Sequence, residues 1–332
     1  MKHLTILVPN GHPNPITIIS TFMAFMQAEK HHTLKTGQSV FGQVTIAGTS
    51  DKVDVYNGIF SVTPVRDISE ITKTDLVIIP AFLPQTSPEQ NIGLNEKMMD
   101  WITLQYKQGA EIASLCTGAY LLAATGIANG QKCSIHWNDA EKFRSMFPKV
   151  DLVADQVITY ENGIYTCGGA FSFMNLILYL LEKNYGREMA ILCSKLFQID
   201  IDRSSQSPYM VFNGQKSHND PIVLRAQESI EQNITEKFSV ESLAQKLAVS
   251  RRNLDRRFIN ATGNTPNEYA QRVRIELAKK QLETTRKTIQ EVMFEVGYSD
   301  QKTFRDTFKK ISGLSPLEYK SKYNRDAVVS TH

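Results

Sequence analysis

Apolar residues along this chain fall into two regimes. Up to about residue 200, short continuous runs alternate with longer stretches of helical spacing. Leu4-Thr5-Ile6-Leu7-Val8, Leu76-Val77-Ile78-Ile79 and Ile112-Ala113-Ser114-Leu115 are nearly unbroken, as expected of strands covered on both faces of a parallel sheet. The third run passes directly into a helix-compatible segment. Residues 1–200 are therefore expected to form an α/β domain with a flavodoxin-like, mostly parallel sheet. The stretch 201–221 is rich in Ser, Asn, Asp and Pro and has no sustained period, so it reads as a linker.

From residue 222 the period changes to that of helices, and the sequence repeats itself. Gly263-Asn264-Thr265-Pro266-Asn267-Glu268-Tyr269 returns as Gly313-Leu314-Ser315-Pro316-Leu317-Glu318-Tyr319. In each copy Gly ends one helix in a left-handed conformation, Thr or Ser caps the next, and Glu completes a capping box. Upstream, Val240, Leu243, Ala244 and Leu247 match Ile289, Val292, Met293 and Val296, each quartet one buried face of a short helix. A tight turn follows in both copies. A second helix is then anchored by Leu254 and Phe258, or by Phe304 and Phe308. An all-α domain over 222–323 is expected, with two helix-turn-helix units at about 239–262 and 288–312, followed by a tail, 324–332.

The outward faces of the second helices carry the chemistry. With Leu254 and Phe258 inward, Arg252 and Arg256 face outward beside Asp255, while Arg251 and Arg257 lie nearer the edges. The second copy exposes Lys302 and Asp306, flanked by Gln301 and Arg305. Arg and Lys bond guanine, Asp accepts from cytosine and Gln pairs with adenine, so these nine side chains are candidate contacts to double-stranded promoter DNA. A single charged helix would more simply be a solvated face; two on a duplicated scaffold favour DNA.

Charge supports the division. The chain has 332 residues and a net charge of +3, with 16 basic and 19 acidic residues to Gln215 against 21 basic and 15 acidic after it. A basic C-terminal third suits a polyanion partner. The longest mostly apolar stretch, Ala170 to Leu181, is too short to span a bilayer, and Pro9, Pro13 and Pro15 interrupt the N-terminus, so no membrane association is expected. Cys116, Cys133, Cys167 and Cys193 lack disulfide-framework or zinc spacing. A cytoplasmic protein without a metal or cofactor is expected.

Residues 222–323 resemble the DNA-binding domain of the AraC/XylS regulators. The resemblance rests on the segments beginning at Ser250-Arg251-Arg252-Asn253-Leu254, at Ala261-Thr262-Gly263 and at Val296-Gly297-Tyr298-Ser299-Asp300. It implies two helix-turn-helix units in one subunit, reading successive major grooves.

In the N-terminal region, Glu111 to Leu122 runs from a strand through Cys116-Thr117-Gly118 into a helix, like a nucleophile elbow. A thiol there is open to activation by the helix dipole, and His136 is a candidate partner. This elbow, Ser134-Ile135-His136-Trp137 and Thr166-Cys167-Gly168-Gly169-Ala170 together resemble the class I glutamine amidotransferase-like superfamily, PfpI-like. Gly186-Arg187-Glu188 and Ser205-Gln206-Ser207-Pro208-Tyr209 resemble the AraC-family branch that carries such a domain. Catalytic members of the superfamily place a carboxylate just after the first strand; here no Asp or Glu precedes Glu29.

Cys116 and His136 are thus expected to be vestiges in a pocket that binds, with Asn10, Gly11, Cys116, Thr117, His136 and Gly169 as its candidate lining. Trp137 and Tyr120 are expected to pack. The resemblance implies a sequence-specific transcription regulator that senses a small-molecule effector of the amino-acid or quaternary-amine class and acts as a homodimer. The alternatives are a cysteine-dependent amidase or hydrolase tethered to a DNA-binding domain, and a constitutive regulator whose first domain only dimerises.

Overall fold

A computed structural model describes residues 1–216, 218–236 and 239–324; the tail assigned to 324–332 lies outside them beyond Asn324. The chain divides into two compact units, Met1–Gln206 and Ser207–His332. Among the described residues no helix is long and apolar enough to cross a membrane.

The first unit is built on a seven-stranded sheet. Its strands are β1 (Lys2–Val8), β2 (Phe41–Gly48), β5 (Arg66–Asp67), β6 (Leu76–Ile79), β7 (Glu111–Leu115), β10 (Ile158–Glu161) and β11 (Ile164–Cys167). They lie in the order β10-β11-β7-β6-β1-β2-β5. All pairings are parallel except β10 with β11. A hairpin, β3 (Val53–Val55) with β4 (Phe60–Val62), and a short parallel pair, β8 (Lys132–Cys133) with β9 (Asp151–Leu152), stand outside it.

Helices α1 (Pro15–Thr36), α2 (Pro88–Gly93), α3 (Glu96–Lys107), α4 (Ala119–Ala124), α5 (Ala140–Met146), α6 (Phe173–Tyr185) and α7 (Arg187–Phe197) complete the unit. The continuous apolar runs are explained by the two cores that the sheet separates. Leu4, Ile6, Ile78 and Leu115 join Phe25 of α1 and Leu176 and Leu180 of α6. Leu7, Val77, Ile79 and Ile112 point the other way, to Ile102 of α3, Leu122 of α4 and Phe143 of α5. A strand covered on both faces has no solvent side on which a polar residue would gain.

The second unit has seven helices among its described residues: α8 (Pro221–Gln232), α9 (Val240–Lys246), α10 (Arg251–Thr262), α11 (Pro266–Thr284), α12 (Ile289–Glu295), α13 (Gln301–Ser312) and α14 (Pro316–Tyr323). It has two small cores. Leu243, Leu254 and Phe258 pack with Val223 of α8 and Tyr269 of α11. Val292, Phe304 and Phe308 pack with Ile275 and Leu282 of α11 and Tyr319 of α14. α11 therefore serves both. Both repeat-derived capping boxes form, Thr265 with Glu268 and Ser315 with Glu318, and Gly263 and Gly313 are left-handed.

The stretch 201–221 differs from the expected linker. Its first part is fastened to the first unit: Val157 donates to the Ser204 carbonyl at 3.0 Å, and Gln206 is 2% exposed. Its later part is fastened to the second. Lys279 Nζ donates to the Met210 carbonyl at 2.5 Å, Phe212 donates to Glu276 at 3.1 Å, and Gln215 bonds Thr262 and Asn264. A Ser/Asn/Asp-rich composition signals irregular backbone, and irregular backbone can still be held by side chains.

Candidate functional site

The strand-to-helix elbow forms as the sequence suggests. Cys116 directly follows β7 at φ 51°, a left-handed conformation unusual for a residue with a side chain. A short 3-10 turn, Cys116–Gly118, leads into α4. Gly118 is required by its surroundings: a Cβ there would stand 2.6 Å from the Pro80 carbonyl oxygen and 2.9 Å from that of Ile79. Thr117 closes the neighbouring loop, accepting from the Phe82 amide at 2.8 Å and donating to its carbonyl at 3.0 Å.

A cavity of about 380 Å³ opens over the elbow. Its walls include Cys116, Thr117, Tyr120, His136, Asn138 and Asp139. The loop after β6 (Phe82, Leu83, Pro84) and Asn14 and Asn91 enclose it further. A larger groove of about 650 Å³ lies between α1 and α7, away from this chemistry.

Burial in the cavity favours the neutral forms of its thiol and its imidazole. Burial pushes the Cys116 thiol up to about 12, nearby Asp139 adds to the rise, and the backbone hydrogen bonds of Thr117 and His136 only partly oppose it. Burial likewise holds the His136 imidazole below its ordinary value. Its Nδ1 accepts from the Asn138 amide at 3.2 Å, which leaves the proton of the neutral ring on Nε2. Asp139 is raised by burial, against the pull of His136 and of the Tyr120 hydroxyl that donates to it at 3.3 Å.

A thiol near 12 is about five powers of ten short of its thiolate at pH 7. Iodoacetamide should therefore label Cys116 roughly 10³-fold more slowly than free cysteine, with the rate rising about tenfold per pH unit through the alkaline range. Peptide mass spectrometry measures it; rapid labelling at pH 7 would show an activated thiol.

In the second unit the outward faces of α10 and α13 are polar. Arg252, Arg256 and Asn260 are exposed on α10, as are Gln301, Lys302, Arg305, Asp306, Lys309 and Lys310 on α13. Ser250 and Asp300 cap the two helices. α10 and α13 follow left-handed turns at Ala248 and Gly297. At 19 residues α11, which joins the two helix-turn-helix motifs, is about 28 Å long, of the order of one turn of DNA.

The comparisons with known proteins match this geometry. A helix-turn-helix domain profile matches residues 243–322, and a DJ-1/PfpI family profile matches residues 22–183. The chain joins a DJ-1/PfpI domain to an AraC-type helix-turn-helix domain. It is 27% identical over 213 residues to the HTH-type transcriptional regulator ArgR of Pseudomonas aeruginosa, which is 64% of each chain. It is 26% identical over 219 residues to the regulator GbdR of the same species, covering 66% of this chain and 59% of that one. The chain thus aligns with somewhat less than two thirds of these relatives' length. Its DJ-1/PfpI fold matches a solved structure described as a candidate transcriptional regulator from Vibrio parahaemolyticus, with TM-score 0.51 and 20% identity, over 59% of this chain and 98% of that one.

Of the expected pocket lining, Cys116, Thr117 and His136 reach the cavity of the DJ-1/PfpI domain; Asn10, Gly11 and Gly169 do not line it. Asn10 is occupied with Asn95, Thr49 and Ser50. Gly11 packs against Asn91, where a Cβ would meet Oδ1 at 2.6 Å, and Gly169 backs onto Ser172. Proximity to a strand end suggested all three, but the cavity is lined further along the same loops, at Asn14 and Ala170. Tyr120 lines the cavity while packing on Phe143. Asp139 was legible, three residues beyond His136, as was Tyr120, four beyond Cys116; Asn14 and Asn91 had no signal.

In the helix-turn-helix domain two arginines have partners of their own. Arg257 makes a bidentate pair with Asp220, at 2.7 and 2.8 Å, which also caps α8. Arg251 pairs with Glu241 and lies 3.6 Å from Asp255. The helical wheel separates edge from centre but is blind to acids on other helices. Ile259, Asn260, Lys309 and Lys310, exposed on the same helices, were passed over.

Proposed function

We propose that the protein is a sequence-specific DNA-binding transcription regulator whose DJ-1/PfpI domain binds a small effector. The observation that carries this reading is the duplicated helix-turn-helix, with both second helices presenting basic side chains outward from buried aromatic anchors. Arg252, Arg256, Lys302, Asp306 and Gln301 are its base-reading candidates. Arg251, Arg257, Asp255 and Arg305 sit in or beside ion pairs and serve better to fix helix position or meet phosphate. Ile259, 46% exposed on the same face, suits a thymine methyl.

Arg252→Ala is the test. It should relax preference at one base pair by about 1–3 kcal/mol, measured as affinity across single-base variants of a selected site. Equal weakening on every sequence would put Arg252 on phosphate.

The cavity supports binding over turnover, because its thiol is held protonated and no carboxylate from the first strand reaches it. Among the residues lining it, Asp139 is the one carboxylate and there is no Lys or Arg. A neutral His136 beside Asp139 and Tyr120 suits a small ligand carrying an ammonium group. The names of the relatives identify them as transcriptional regulators, which agrees with this reading.

A second copy of the chain fits α1. Ile16, Ile19, Met23 and Met26 are exposed along it, while Ile18, Phe25 and Ala28 are buried behind. Steps of three, four and three residues make an apolar seam, with uncharged Ser20 and Gln27 beside it. Met23→Lys should convert a dimer to a monomer in sedimentation equilibrium; an unchanged mass would move the interface elsewhere.

A further inference from the structure

The last residue of the first unit holds the wall of the cavity. The Gln206 side-chain amide nitrogen lies 2.9 Å from the Ile135 carbonyl, 2.8 Å from that of Ala154 and 3.1 Å from that of Gln156. Its Oε1 accepts from the Trp137 amide at 3.2 Å. Gln206 thus grips the backbone on both sides of His136, the residue that faces the cavity. It also fills the space beside Gly168: a Cβ there would lie 1.8 Å from the Gln206 amide nitrogen. Gly168 and Gly169 lead straight to Ala170, which lines the cavity. The backbone amide of Gln206 donates to the Asp155 carbonyl at 2.7 Å.

The next residue begins the second unit, and there the chain is held again. Ser207–Tyr209 forms a 3-10 turn. Tyr323 Oη donates to the Pro208 carbonyl at 3.0 Å, and Lys322 Nζ lies 4.6 Å from the Tyr209 ring centroid and bonds its hydroxyl. Pro208 stands against Gly313, the residue that ends α13, 3.3 Å from where its Cβ would be. No slack residue separates the buried glutamine from this turn.

We propose that Gln206 is the relay by which occupation of the DJ-1/PfpI cavity reaches the helix-turn-helix domain. Displacing the His136 wall breaks the bonds of Gln206 to Ile135 and Trp137. The freed side chain then alters the tension on Ser207–Tyr209 and on the end of the second recognition helix. An effector acts through this relay to the extent that it binds the latched and unlatched states unequally. The idea rests on the regulator reading for its purpose, but the coupling itself can be measured without DNA or effector.

The test is a double-mutant cycle on the full chain, read by amide hydrogen exchange. Leu83→Trp, on the β6 side of the cavity, stands in for an occupant by filling it. In the Gln206 background it should speed exchange across 204–212 by about fivefold or more. In Gln206→Ala the same segment should already exchange fast, and Leu83→Trp should add nothing. Equal acceleration in both backgrounds, or none in the Gln206 background, overturns the relay. If Gln206→Ala loosens β6 and β7 as well, Gln206→Glu replaces it: it keeps an acceptor for Trp137, loses the donors to Ile135 and Ala154, and carries the same expectations. Duplex affinity measured in parallel separates a broken relay from a chain that does not bind DNA.

Discussion

Phe304→Ala is expected to unfold the second helix-turn-helix. Phe304 is fully buried, with Tyr298 and Phe308 at ring-centroid distances of 5.3 and 5.8 Å and Val292, Met293 and Ile275 in the same core. Truncating such a ring costs about 3–5 kcal/mol, a large share of the roughly 5–15 kcal/mol that holds a domain. The core it leaves is small and has no second layer to close the gap. Thermal unfolding of the full chain should show the transition of the second unit falling sharply and that of the first unit unmoved. DNA affinity should fall with it. Lys302→Ala, on the exposed face of the same helix, is the control: it should leave stability unchanged and act on DNA alone. Loss of stability in both variants would mean that the outward face of α13 is engaged in packing.

Gly118→Ala should be among the most damaging single methyls in the first unit. The added Cβ would meet two backbone carbonyl oxygens, of Pro80 and Ile79, inside 3.0 Å. Neither can swing aside as a side chain can, because Ile79 lies in β6 at the centre of the sheet. Either α4 lifts off the strand or the loop after β6 shifts, and the bonds between Thr117 and Phe82 break with it. Overpacking of this kind costs about 1–3 kcal/mol, and more when backbone must move. Denaturant unfolding should show the loss, and the cavity should lose its wall at Phe82. Gly169→Ala, where the nearest atoms are the Ser172 side chain at 3.0 and 3.1 Å, should cost less by contact, although its φ of 83° adds strain.

The sequence was most legible where structure is local. The seven-residue repeat around Gly263 and Gly313 encodes cap, proline and capping box within one turn of chain, so both helix starts could be read directly. The unbroken runs at β1, β6 and β7 revealed a sheet covered on both faces for the same reason. Cys116 announced its elbow because the strand, the turn and Gly118 are consecutive. Partners distant in sequence were not legible. Nothing near Arg257 points to Asp220, 37 residues earlier, and nothing near Asn10 points to Asn95. The stretch 201–221 was misread as a linker because its fastening is by single side chains, Gln206 to the first unit and Phe212 and Gln215 to the second. Ile259 was passed over because an apolar residue on a helix is first assigned to the core.

The central claim is that two recognition helices in one chain read DNA. Selection of bound duplexes from a random library by the full-length chain tests it most directly, followed by salt-dependent affinity for the selected site. The expected result is enrichment of two short conserved blocks about one helical turn apart, one losing its preference in Arg252→Ala and the other in Lys302→Ala. Binding that is equal on all duplexes, or absent, would contradict it.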